Sequence, residues 1–132
     1  MDLNPEETML RVENTYPEGF YRNIATLVKS IKNDGADVAL LSFVQATDEW
    51  IEEFSLDKRG LVPAFALALK KNRDAMRTIA IEQQIPYLEP NHSDFPDELF
   101  VDYCHLKEDA HIVKAELFAA FLAEEGLVPR QP

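Results

Sequence analysis

The chain has 132 residues, is 46% hydrophobic, and sets 13 basic against 24 acidic side chains for a formal net charge of −11. That size and apolar content fit one ordered domain and exclude a disordered chain. The negative charge repels phosphate backbones and argues against a primary nucleic-acid role. No apolar run approaches the ~18 to 20 residues of a membrane span, so none is expected.

Residues 1–15 are polar and acidic, with no basic start and no apolar stretch of the secretory kind, so no signal peptide is expected and the compartment stays open. They hold Pro5 and show no clear period, which predicts a loop or arm; the arm is taken as residues 1–16. A helix is expected from Pro17 to about Asn33. Its stripe is Phe20, Ile24, Leu27, Val28 and Ile31, and Gly35 lies beyond its end. Residues 38–44 form a nearly continuous apolar run that reads as a strand buried on both faces, the signature of a parallel sheet.

Thr47 is placed to cap a short helix over Asp48–Phe54, with Trp50, Ile51 and Phe54 as its apolar side. Residues 55–60 form a polar break. A long helix follows over residues 61–84, with Pro63 tolerated in its first turn and a core stripe of Leu69, Met76, Ile79 and Ala80. Residues 85–88 read as a second short strand, with Pro86 placing it at an edge or a strand start. A loop rich in Pro, Asp and Asn spans residues 89–98, followed by the apolar anchor Leu99, Phe100 and Val101. The closing helix is expected over residues 108–125, with Ile112, Ala115, Phe118, Phe121 and Leu122 inward and Gly126 as its stop. The order of elements predicts an α/β fold with a short parallel sheet. The folded portion is taken as residues 17–127 and the tail as 128–132.

The single cysteine, Cys104, forbids an internal disulfide or a Cys-only zinc site and is expected to be a buried, inert thiol. His92, His105 and His111 follow no common metal-ligand spacing, so no metal and no cofactor are expected. The acidic pairs and the basic run at residues 70–73 read as solvated faces. No glycine-rich phosphate loop is present.

The residues that suggest chemistry are Asp102 and His105. A carboxylate three residues before a histidine can accept the Nδ1 proton, fix the tautomer and leave Nε2 as a general base. Alone, an Asp-x-x-His match is common by chance, and the simpler reading is a loop aspartate capping a turn beside a surface histidine. The stretch Asp102, His105, Leu106 and the helix that follows resembles the last block of the SGNH/GDSL hydrolase family. Phe20 to Val28 resembles the helix before that family's fourth strand, residues 35–41 that strand's entry, and Ile79 to Tyr87 the helix and strand before the last block.

The resemblance implies a partial three-layer α/β/α, flavodoxin-like arrangement and an ester or acyl hydrolase. His105 would be its catalytic base and Asp102 the carboxylate that orients it. It also exposes departures. The family's Gly-Asp-Ser nucleophile motif and its Gly-x-Asn-Asp motif do not occur, and Ala110 stands where the family usually has Gly. None of Ser30, Ser42, Ser55 and Ser93 sits in a nucleophile setting; Ser42 reads as a core hydroxyl. The chain therefore resembles the C-terminal half of such an enzyme and is expected to be inactive alone, with a small-molecule ester as substrate only when an N-terminal half completes it. The alternatives are a non-catalytic α/β module that oligomerises or binds, and a small complete domain in which the Asp-x-x-His match is accidental. An exposed apolar strand edge predicts a homo-oligomer in either the first or the second case.

Overall fold

The computed structural model describes residues 4–54 and 60–128, without the side chain of Phe54. The expected break at residues 55–60 lies outside them save for Gly60, and so does most of the tail. The elements are α1 (Pro5–Asn14), α2 (Glu18–Asn33), β1 (Leu40–Leu41), α3 (Asp48–Phe54), α4 (Val62–Gln83), β2 (Tyr87–Leu88) and α5 (Ala110–Glu124), with 3-10 turns at His92–Asp94 and Asp97–Leu99. The fold is mostly helical around one small parallel sheet, in which Leu40 pairs with Tyr87 and Leu41 with Leu88.

The first element corrects the sequence reading, because the expected loop is largely helix α1. Asn4 caps it by accepting the Glu7 amide at 3.1 Å, Pro5 occupies the first turn, and Glu6 and Glu7 face the positive end of the dipole. At the other end, Lys71 of α4 donates to the carbonyls of Val12, Glu13 and Thr15, so a cation satisfies the helix end and ties α1 to α4. Gly60 has φ +79°, and a Cβ there would lie 3.2 Å from Pro5 Cγ, so this turn also meets α1 closely.

Helix α2 lies where the sequence places it. Val28 is its buried residue, while Leu27, expected inward, is exposed. Tyr21 donates to Glu82 and Lys32 to the Gln83 carbonyl at 2.6 Å, which holds α2 along α4. Gly35 takes the left-handed conformation just past its end. Helix α3 has the expected bounds, and Trp50 donates its amide to the capping Thr47 hydroxyl at 3.3 Å. Helix α4 ends at Gln84, which adopts a left-handed φ of 53°.

Both strands are shorter than expected, and the run over residues 38–44 is not buried on both faces: Leu40 and Leu41 are half-buried and Phe43 is 48% exposed. The reason is where the backbone groups go. Leu40 and Ser42 donate to Pro86 and Leu88, but the Phe43 carbonyl accepts from Arg73 and the Ala46 amide donates to Tyr103, so the chain leaves the ladder within a few residues.

Helix α5 also departs from its predicted face. The sequence places Ile112 and Ala115 inward, yet both are exposed, Ile112 at 62%. Ala110 and Phe121 are buried, and Val113 and Leu117 pack on the core. The helix is apolar nearly all round, so its periodicity could not choose a face.

The main core joins Val44, Ala46, Ile51, Val62, Phe95 and Phe100, with Trp50, Leu99, Tyr103, Leu106, Val113 and Leu117 against it. Its centre therefore lies beneath the segment that carries Asp102 and His105. No described helix is long and apolar enough to cross a membrane.

Candidate active site

The segment from Leu99 to Lys107 is built as a small closed frame. Phe100 is buried and forms an isolated antiparallel bridge with Leu106. Val101 donates its amide to the His105 carbonyl at 2.7 Å, and Lys107 donates to the Leu99 carbonyl at 2.8 Å. The two rails are anchored by apolar side chains, and the turn between them carries Asp102, Tyr103 and Cys104, of which Tyr103 packs against the core. A second clamp comes from Thr47, whose amide and hydroxyl both donate to the Asp97 carboxylate. The Ala46 amide donates to Tyr103 at 3.1 Å. The turn is thus tied to the segment that follows β1.

Within the turn, one carboxylate organises the backbone and the ring together. Asp102 Oδ1 accepts the amides of Cys104 at 2.9 Å and His105 at 2.8 Å. His105 Nδ1 lies 2.7 Å from Oδ2 and 2.9 Å from Oδ1. A ring nitrogen this close to both carboxylate oxygens carries the hydrogen, so Nδ1 is the donor and Nε2 holds the lone pair in the neutral ring. Burial pushes the Asp102 carboxyl up, but the Cys104 amide, the His105 ring and the His105 amide outweigh it and hold it down to about 2. Asp102 therefore stays ionised at neutral pH and can stabilise an imidazolium.

The pair is open to reactants. The His105 side chain is 74% exposed and that of Asp102 42%. Among the described residues no serine hydroxyl is hydrogen-bonded to His105. Ser42 is buried, Ser30 and Ser93 are exposed elsewhere, and Ser55 lies outside the described residues. The structure thus brings together the two expected site residues, and among the described residues it brings no serine hydroxyl to them.

Two neighbours were not singled out as part of the site. Cys104 Sγ lies 3.6 Å from His105 Nδ1, and Asp102, Cys104 and His105 present ligand atoms all within 4.8 Å of one another. Burial pushes the Cys104 thiol up, as does the nearby Asp102 charge, so it is a poor nucleophile at neutral pH. The signal was present in the sequence as a cysteine directly before the histidine, but only the folded turn shows that both side chains face the same way. Tyr103 stacks on Phe65 with ring centroids 6.4 Å apart. It lines, with Cys104, Phe43, Leu69 and Asn72, a mainly apolar cavity of about 300 Å³ beside the pair. His92 and His111 do not join this group. His92 lines a separate cavity of about 180 Å³ with Arg73, Gln45 and Asn91.

Comparison with protein-family models, with curated proteins and with solved structures finds no match to this chain.

Proposed function

We propose that Asp102 and His105 are the base half of a serine-hydrolase-type site for ester or acyl groups, in a chain that needs a nucleophile from elsewhere. The observation that carries this reading is the Nδ1 contact to both Asp102 oxygens at 2.7 and 2.9 Å, with the rest of the ring open to solvent. In this reading a serine hydroxyl approaches Nε2, gives up its proton as it attacks the acyl carbon, and the leaving oxygen takes that proton back from the imidazolium. Asp102 holds the ring and offsets the positive charge that forms on it. The parallel pair β1 and β2 is read as the last two strands of a three-layer α/β/α sheet of the SGNH type, and the cavity beside Tyr103 and Cys104 as the start of the acyl path.

Catalytic groups of this kind act as a unit, so the pair alone supplies little rate. The purified chain should not turn over a nitrophenyl ester beyond the background of an exposed imidazole, and a fluorophosphonate serine probe should leave it unlabelled. Long-range nitrogen–proton NMR should find the His105 proton on Nδ1. A dominant Nε2–H form sinks the base assignment. Robust turnover lost on His105→Ala sinks the claim that the nucleophile is missing.

A second reading, a non-catalytic module that oligomerises, is favoured by one observation. Leu40 and Ser42 spend their amides on β2, so the alternating amides of Leu41 and Phe43 face the other edge of β1. A largely apolar cavity of about 510 Å³, lined by Phe20, Leu41, Phe43, Met76 and Phe118, lies beside these residues. Light scattering at tens of micromolar separates the cases, since a monodisperse monomer counts against self-association through this edge.

A further inference from the structure

The turn that orients His105 also has the donor set and spacing of a transition-metal site. We propose that Asp102 Oδ2, Cys104 Sγ and His105 Nδ1 bind one Zn²⁺, or a similar borderline-soft divalent cation, with a fourth position open to water. The metal site rests on the geometry of the three side chains. Its consequence for activity rests on the reading of His105 as a base.

Three observations carry it. First, the donors are a thiolate, an imidazole and a carboxylate, the mixed set that zinc accepts in tetrahedral geometry. Second, the three donor atoms lie within 4.8 Å of one another, so small side-chain rotations bring them to one ion. Bonds of ~2.3 Å to sulfur and ~2.0 Å to nitrogen at a tetrahedral angle put S and N ~3.5 Å apart, and Sγ and Nδ1 are 3.6 Å apart. The Nδ1 to Oδ2 separation of 2.7 Å must widen to ~3.4 Å, a small swing of an exposed carboxylate. Third, the ligand carboxylate is already oriented. Oδ1 is held by the Cys104 and His105 amides, which leaves Oδ2 to turn toward a metal, as a preorganised outer shell requires. The exposed face of His105 gives the ion a way in and leaves room for a bound water.

Coordination at Nδ1 moves the ring proton to Nε2. The metal therefore competes with the tautomer that a base needs, and the loaded turn is an inhibited turn. No bond to carbon is made or broken and no electron is transferred; the covalent changes are loss of the Cys104 thiol proton to solvent when the thiolate binds and exchange of the His105 ring proton, lost from Nδ1 to solvent and regained from solvent at Nε2.

The test is a Co²⁺ titration of chelator-treated protein, followed by Zn²⁺ displacement. Expected are one-to-one binding, a near-ultraviolet thiolate-to-Co²⁺ band and the visible pattern of tetrahedral Co²⁺. Cys104→Ser should abolish the thiolate band and weaken binding by more than the ~10-fold that loss of an outer-shell partner costs. His92→Gln should change neither. Nitrogen NMR of the same samples should show the His105 proton passing from Nδ1 to Nε2 as Zn²⁺ is added. Amide spectra check that Cys104→Ser, a near-isosteric change at a partly exposed position, leaves the fold intact. No saturable binding at protein-level metal overturns the proposal, as does binding that Cys104→Ser leaves unchanged. If Cys104→Ser unfolds the chain, the His105 Nδ1 nitrogen signal in the wild type decides alone: no change in it at saturating Zn²⁺ overturns the proposal, whichever ring nitrogen carries the proton in the metal-free protein. The tautomer of the metal-free protein tests the base reading separately, so the two ideas fail independently.

Discussion

Replacing Asp102 by Asn keeps the size of the side chain and removes its charge. The amide carbonyl can still accept the Cys104 and His105 backbone amides, but the amino group that takes the place of Oδ2 cannot accept the ring proton. The ring must then present Nδ1 as acceptor and carry its proton on Nε2, where a base cannot use it. The stability cost follows from the carboxyl, held at about 2 against an ordinary value of 3.8. That lowering corresponds to about 2 to 3 kcal/mol, at ~1.4 kcal/mol for each tenfold change in proton affinity. The Asp102 side chain is 42% exposed, so solvent screening reduces the expected loss to about 1 kcal/mol. The sign is fixed because the folded value lies below the unfolded one. The contribution is fully present above pH ~4 and fades as the pH falls from there through about 2. Urea denaturation of both proteins at about pH 7, about pH 4 and about pH 2.5 measures it, with the gap closing toward acid. A gap unchanged at the lowest pH would show that shape rather than charge is responsible. No gap at neutral pH would refute the clamp altogether.

Other outcomes follow from the core and the turns. Phe100→Ala empties a fully buried site under the candidate pair and should cost ~3 to 5 kcal/mol, read as a lowered urea midpoint. Gly60→Ala forces a side chain into φ +79° and to 3.2 Å from Pro5 Cγ, and should destabilise by ~1 kcal/mol or more in the same assay. Asn4→Ala removes the cap of α1 and should cost ~1 kcal/mol, seen as faster amide exchange confined to α1.

What could be read from the sequence depended on how local the deciding interaction was. Helix α3 was legible because its cap, its acidic first turn and its apolar side all lie within eight residues. The parallel pairing was legible from two short apolar runs separated by a long helix. Helix α1 was missed although Asn4, Pro5 and Glu6 spell a helix start, because its apolar residues are few and its far end is secured by Lys71, a contact that spans more than fifty residues. The face of α5 was misread for the opposite reason: an excess of apolar side chains leaves no periodic contrast, and tertiary packing chose Val113 and Leu117 over Ile112. The strand lengths were overdrawn because Arg73 and Tyr103, far away in sequence, take the backbone groups that would extend the ladder. Within the site, Asp102 and His105 were legible from spacing alone. The third member of the cluster, Cys104, was not, since spacing does not tell which way adjacent side chains point.

The Asp102–His105 pair and the edge of β1 that faces away from β2 among the described residues are physically connected. The cavity beside Tyr103 and Cys104 shares Phe43, Leu69 and Asn72 with the larger one beside β1. The groove therefore runs from the turn that holds His105 to the edge where the Leu41 and Phe43 amides face outward. A two-stranded sheet is marginal by itself, and a parallel one is normally covered on both faces. A polypeptide that adds a strand at this edge would lay its alternating side chains in the groove and close it over Phe43. Under the proposed reading, completing the sheet and bringing a nucleophile toward Nε2 are then one geometric event. On that reading the clamp on Asp102 would serve the same event, because a carboxylate held by the Cys104 and His105 amides would keep the ring proton on Nδ1 before a partner arrived.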